Sequence, residues 1–193
     1  MNCDCAEGSE TAFEVLARAK ALEKQGKHII HLEIGEPDFD TPANIKKAAT
    51  KALYSGYTHY VPACGIAELR EVIAGHISET RGIPVDTDEV VVTPGAKPII
   101  FFAVLACVNR GDEVMYPNPG FPIYESMINF VVAKPVPIPI REENDFRFDP
   151  EYFKENLSEK TKMIILNSPS NPTGGILTKE DLKVVADCVN ARG

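Results

Sequence analysis

With 193 residues, 44% of them hydrophobic and 25% charged, the chain can form one substantial core, or one domain plus part of another, and its composition is that of a globular protein. A net charge of -8 without a basic cluster excludes the electrostatic footprint of a nucleic-acid or anionic-membrane binder. The longest apolar stretch, PIIFFAVLACV, falls short of the roughly 18 residues that a spanning helix needs. The start, MNCDCAEGSE, is polar and acidic and does not match a secretory signal. Cysteines at 3, 5, 64, 107 and 188 are odd in number and irregular in spacing, a poor disulfide framework. Cys3 and Cys5 lack the second ligand pair of a zinc site. A cytoplasmic protein is expected, without a metal centre.

In chain order, TAFEVLARAKALEKQ (11–25) places Phe13, Leu16, Ala17 and Ala21 at helical spacing, and Gly26 stops the run. The next piece, HIIHLEIG (28–35), is expected to be extended, with His28 and His31 as ordinary strand residues on opposite faces. EPDFDTP (36–42) is an irregular loop, and a boundary is expected near residue 44. NIKKAATKALYSG aligns Ile45, Ala48, Ala49, Ala52 and Leu53 on one helical stripe; GIAELREVIAGHISET does so with Ile66, Leu69, Ile73 and Ile77. Between them lies the loop YTHYVPACG.

From residue 88 short β-branched runs alternate with helical stretches. EVVVT precedes an apolar helix over 98–108, DEVMY a helix near 121–130, VVAKPVPIPI a helix from Pro150 to Leu157, and KMIIL a helix from 178. Such alternation predicts a parallel sheet with helices on its faces, an α/β fold. VVV and MIIL lack polar alternation, as strands buried on both sides do. Asp149 before Pro150, and Thr178 with Asp181, read as helix caps. NLS at 156–158 matches a glycosylation acceptor that a cytoplasmic chain would not use.

Ligands of open parallel sheets bind beyond the carboxyl ends of the strands. Three such ends stand out. TPGAKP (93–98) offers small residues and a helix N-terminus, either a phosphate nest or a plain tight turn. YPNPGFPIY (116–124) stiffens a loop before Phe121, which either stacks on a planar ligand or packs on the core. In NSPSNPTGG (167–175) two prolines hold Asn171, a fixed amide donor or simply a turn residue. Together, a phosphate nest, an aromatic plate and an amide donor outline pyridoxal 5'-phosphate.

The collinear motifs IGEPDFDTP, YTHYVPACGIAELR, VVVTPGAKP, GDEVMYPNPGFPIY and MIILNSPSNPTGG, running from about Phe13 to the end, resemble the class I/II aminotransferases of fold type I, the aspartate aminotransferase-like enzymes. The resemblance implies a homodimer whose protomers have two domains, with pyridoxal phosphate between them. Residues 1–44 correspond to the N-terminal arm and small-domain segment, and 45–193 to part of the cofactor-binding large domain. By the same resemblance, Gly95, Ala96 and Lys97 lie under the cofactor phosphate and Phe121 stacks on the pyridine ring. Asn171 donates to the phenolic oxygen and stabilises its anionic form. Tyr60 reaches the phosphate of the neighbouring subunit, and the Gly35 backbone meets the substrate carboxylate, beside Phe121 and Asn171.

The family's Schiff-base lysine, the aspartate that pairs with the pyridine nitrogen and the arginines that bind phosphate and substrate carboxylate are expected beyond Gly193. Lys97, in the phosphate loop, is not a substitute. The implied activity is amino transfer between an L-amino acid, aspartate-like or of broad range, and a 2-oxo acid, with these 193 residues inactive by themselves. A fold type I lyase, and a non-catalytic half-protein that binds the cofactor weakly or complements a second chain, are the alternatives. A sheet left open by missing strands is expected to expose edges and apolar faces.

Overall fold

A computed structural model describes residues 11–191. They form two compact units, one of Leu16–Ala96 and one built from residues 11–15 and 97–191. The elements in order are α1 (Thr11–Glu23), α2 (Ala43–Tyr54), α3 (Ala67–Arg81), α4 (Ala96–Cys107), β1 (Glu113–Asn118), α5 (Ile123–Phe130), β2 (Lys134–Pro139), α6 (Pro150–Asn156), β3 (Thr161–Ile164) and α7 (Lys179–Asn190). None of the helices among the described residues is long and apolar enough to cross a membrane.

The second unit is organised by a three-stranded parallel sheet in the order β2-β1-β3. β1 is central and buried from Glu113 to Pro117, and its side chains alternate between two cores. Val114 and Tyr116 join Val104 and Val108 with Tyr124, Met127 and Ile128 of α5. Met115 joins Val136, Ile138, Phe148, Phe153 of α6 and Val185 of α7. Helices therefore cover both faces of the sheet, as the unbroken apolar runs require.

The alternating prolines of β2 fix its place at the edge. Pro135, Pro137 and Pro139 lack N–H groups, so they can occupy only positions whose nitrogens point away from a partner strand. The flanking donors face β1's ends: Lys134 N–H donates to Asp112 O at 2.8 Å and Ile140 N–H to Asn118 O at 2.8 Å.

The helix caps of this unit follow the sequence. The Asp149 carboxylate accepts from the Glu151 and Tyr152 N–H groups ahead of α6. Thr178 and Asp181 form a reciprocal capping box at α7. At the amino-terminal end of the sheet a buried carboxylate links all three strands: Glu113 accepts from Lys134 Nζ at 2.8 Å and from Ser158 Oγ, just before β3, at 2.6 Å. These bonds, that of Lys134 first, hold its carboxyl below the ordinary range.

The first unit departs from several expectations. EVVVT is not a strand: after a single 3-10 turn at Thr87–Glu89 it runs unpaired among the described residues, bonded through Val92 N–H to Cys64 O at 2.9 Å. HIIHLEIG forms no ladder either. β-branched runs have the shape of a strand, but a strand also needs a neighbour to bond. In α1 the covered residues are Ala12, Leu16, Ala19 and Leu22, a stripe beside the expected one; an alanine-rich helix offers more than one apolar face. The stripe of α2 is formed but uncovered, with Ile45 and Leu53 53% and 63% exposed. At the N-cap of α3 Ile66, and within it Ile73 and Ile77, are partly covered, whereas Leu69 is exposed and Arg70 takes its place on the covered face.

The expected apolar faces are thus present on α2, and on α4 at Ile99, Phe102 and Leu105. Cys64, Cys107 and Cys188 are free thiols. Cys3 and Cys5 lie outside the described residues.

Candidate functional site

Parallel pairing puts the loops that follow β1 and β3 at one end of the sheet, the carboxyl end. The loop after β1 carries Phe121. Gly120 is required just before it, because a Cβ there would overlap the Pro117 carbonyl oxygen. The Phe121 ring is half-buried and meets Tyr124 edge-on, with centroids 5.9 Å apart and planes at 90°. It is therefore anchored on the α5 side of the core while part of it stays accessible.

The loop after β3 carries Asn171. Gly174 N–H donates to Ser170 O at 2.7 Å and Ser170 N–H to Gly175 O at 2.8 Å, which closes a tight turn around the asparagine. Ser168 Oγ accepts from the Leu177 N–H at 2.9 Å and ties the turn's two ends. Ser170 is buried beneath this turn, whereas Asn171 is exposed. The turn's hydrogen bonds thus run through its backbone and the hydroxyl oxygens of Ser168 and Thr173, the buried Ser170 hydroxyl has no partner among the described residues, and Asn171 is left to face outward.

Lys97, the second residue of α4, belongs to the same unit. Its Nζ lies 5.9 Å from the Phe121 centroid and 5.5 Å from that of Phe13 in α1, within cation–π range of both rings. These contacts engage the ammonium group with aromatic side chains at the carboxyl end of the sheet.

The other candidate residues belong to the 16–96 unit. Gly95 has φ +94° and precedes the first residue of α4, so the chain turns there with exposed backbone, and Thr93 Oγ1 donates to Gly95 O at 2.7 Å. Ala96 opens the helix and is exposed. The free N–H groups of such a helix start favour an anion. Tyr60, in the loop before α3, is fully exposed. Gly35 sits in the unpaired segment after α1, with no atom within 4 Å of where a Cβ would stand.

Three polar devices near these residues escaped the sequence reading. Arg70 donates from Nε to Val90 O at 2.9 Å and from Nη2 to Thr87 O at 2.6 Å, and pairs with Asp88 at 3.0 Å, so it fixes the lead-in to the Gly95 turn. Its signal was an arginine at helical spacing between Ile66 and Ile73 on an apolar stripe. His31 is held by two glutamates, and nothing in its local pattern signals that contact. Tyr116, buried behind Phe121's loop, has its phenol pushed up to about 12, by burial first and then by Glu125. It stays protonated at neutral pH and is no acid–base candidate.

A sequence model of the family described as "Aminotransferase class I and II" matches residues 27–193. The chain is 45% identical over 174 residues to an aspartate aminotransferase of Pyrococcus horikoshii, a match covering 90% of this chain and 44% of that protein. Among solved structures, an alanine aminotransferase from Pyrococcus furiosus superposes with a TM-score of 0.92 at 29% identity, covering 100% of this chain and 50% of that one. The Thermus thermophilus aspartate aminotransferase with maleate gives a TM-score of 0.89 at 37% identity, covering 94% and 47% of the two chains. The chain spans about half the length of the relatives it matches.

Proposed function

The chain belongs to the class I and II aminotransferases, a pyridoxal-phosphate-dependent family with an α/β fold, and on that premise we propose that it is part of an enzyme moving an amino group between an L-amino acid and a 2-oxo acid. The donor is aspartate-like or of broad range. The observation that carries this reading is the exposed amide of Asn171 on a hydrogen-bonded turn, at the same sheet end as the anchored ring of Phe121.

The residues present fit the cofactor. A helix start with exposed Gly95 and Ala96 suits a phosphate dianion. A half-buried aromatic ring suits a planar heterocycle, and an amide donor suits a phenolate oxygen. Bound there, pyridoxal phosphate supplies the electron sink for chemistry at the amino acid's α-carbon. The chain's own work is binding and orientation: Gly95, Ala96 and Lys97 at the phosphate, Phe121 over the ring, Asn171 at the phenolic oxygen. Gly35 offers its backbone to the substrate carboxylate.

Tyr60 reaches a neighbouring subunit's cofactor phosphate in a homodimer, a role its full exposure supports. Residues 1–44 act as arm and small-domain segment, and 45–193 as the cofactor-binding portion, in a cytoplasmic protein. The lysine that carries the cofactor covalently lies outside these 193 residues, which are inactive alone. Lys97 is already turned to the rings of Phe13 and Phe121. The uncovered apolar faces of α2 and α4 favour completion by further polypeptide.

The test is amino transfer by the complete natural polypeptide across a panel of L-amino acids and 2-oxo acids, with and without Asn171→Ala. The variant is expected to lose about 10- to 100-fold in cofactor affinity, as removal of a charge-assisted hydrogen bond implies, with little change in thermal stability. Absence of transfer with every pair, or a variant with unaltered cofactor affinity and absorbance, sinks the reading.

A further inference from the structure

His31 is the hub of the segment that carries Gly35. Its Nδ1 lies 2.6 Å from Glu33 Oε1 and its Nε2 2.9 Å from Glu23 Oε1 in α1. Carboxylate oxygens only accept. Both ring nitrogens must therefore donate at once, and that requires the imidazolium form. Glu33 also accepts from the Leu32 N–H at 2.9 Å, and its side chain is only 10% exposed. Glu23, from the helix, and Glu33, from the segment, are the charged groups that bear on the ring, and both raise its proton affinity.

Little else holds this stretch. Between Lys27, whose N–H donates to Leu22 O, and Pro42, whose carbonyl accepts at the start of α2, residues 28–41 make no backbone–backbone hydrogen bond among the described residues. Ile30, Leu32 and Phe39 are 76%, 88% and 71% exposed, and Ile29 and Ile34 are only partly covered, so no residue of the stretch is anchored in a core. The remaining polar tie is the exposed Asp40–Lys46 pair at 3.2 Å, downstream of Gly35.

We propose that His31 is a positioning residue: as imidazolium it clasps the Gly35 segment to α1, and its deprotonation frees that segment and weakens capture of the substrate carboxylate. The link to substrate rests on the Gly35 role proposed above. The direction follows from linkage. His31 titrates above its usual 6.5, its bond to Glu33 being the larger cause, so the clasp is complete below that range and is lost as pH rises through the raised value. Glu33 is held below its usual 4.5, chiefly by His31, so the clasp is also lost as pH falls through that depressed value.

The experiment uses the complete natural polypeptide. Hydrogen–deuterium exchange at the Leu32 N–H, whose acceptor is the Glu33 carboxylate of the clasp, is corrected for the intrinsic effect of pH and followed between about pH 6 and 9. It is expected to quicken about tenfold in step with the His31 ring titration observed by NMR. His31→Gln, which is neutral and carries its donors on a single nitrogen rather than on two sides of a ring, should exchange at the fast rate throughout and show a raised, pH-independent KM for the amino donor at nearly unchanged kcat. Glu23→Gln, a change on the other element, should give an intermediate rate. Exchange that ignores pH in the parent, or that His31→Gln leaves unaltered, overturns the clasp.

Gly35→Ala separates the two readings, since open space surrounds that position. If it leaves KM unchanged while exchange behaves as expected, the clasp stands and the Gly35 role falls. If it raises KM while His31→Gln changes neither KM nor exchange, the Gly35 role stands and the clasp falls.

Discussion

The unit around the sheet and the 16–96 unit contain similar helices in very different surroundings. In the former, Phe153, Met115, Ile128 and Ile138 are at most 1% exposed, and β1 is packed on both faces. In the latter, α2 has a clear apolar stripe and no buried residue. The contrast separates two things that an amphipathic pattern is often taken to mean together. Periodicity sets which face of a helix is apolar; a neighbour must still come to cover it, and only burial contributes the roughly 25 cal/mol per Å² of hydrophobic stabilisation.

The largest effect is expected from Phe153→Ala. Removing a fully buried ring from the α6 core is expected to cost about 3–5 kcal/mol, read as a lower denaturation midpoint of the 193-residue chain. A loss below about 1 kcal/mol would mean that this core is as loose as the surface of α2.

Next in size is Glu113→Gln. It weakens the bonds from Lys134 and Ser158, for an expected loss of about 1.5–3 kcal/mol near neutral pH. The parent's carboxyl titrates below its usual 4.5, so its contribution is present above that value and lost as pH falls through the depressed one. The gap between parent and variant should therefore close in acid. A gap that stays constant down to low pH would show that the carboxylate contributes through packing alone.

The smallest effect is expected from Leu53→Ala on α2. In the 193-residue chain it should change stability by less than about 0.5 kcal/mol, as for an exposed position. Repeating it in the complete natural polypeptide sharpens the contrast: a cost of about 2 kcal/mol or more there would show that this stripe is covered by other polypeptide.

Much of the sheet unit was legible beforehand. Its strands, the parallel arrangement, the Asp149 cap and the Thr178–Asp181 box follow from local runs and their alternation with helices, whereas the edge position of β2, which its alternating prolines explain, emerged only from the pairing. Of the candidate site, Phe121 and Asn171 were legible as loop residues after strands, and Lys97 as a loop residue before a helix that in fact begins at Ala96. The contact of Lys97 with Phe13 was not, because those residues are remote in sequence. EVVVT misled for a related reason: its residues suit a strand, but no neighbouring strand among the described residues pairs with it.

The sequence by itself determined the helices, their caps, the apolar runs of the sheet and the motifs that mark the family, since these follow from local sterics, hydrogen-bonding chemistry and periodicity. Tertiary structure alone decided which apolar faces are covered, that Arg70 rather than Leu69 turns inward to hold the Val90 and Thr87 carbonyls, and that His31 meets Glu23 eight residues earlier as well as its neighbour Glu33. Those outcomes depend on how the chain returns on itself in space. Charge partners and buried faces are set by that return, which no local pattern encodes.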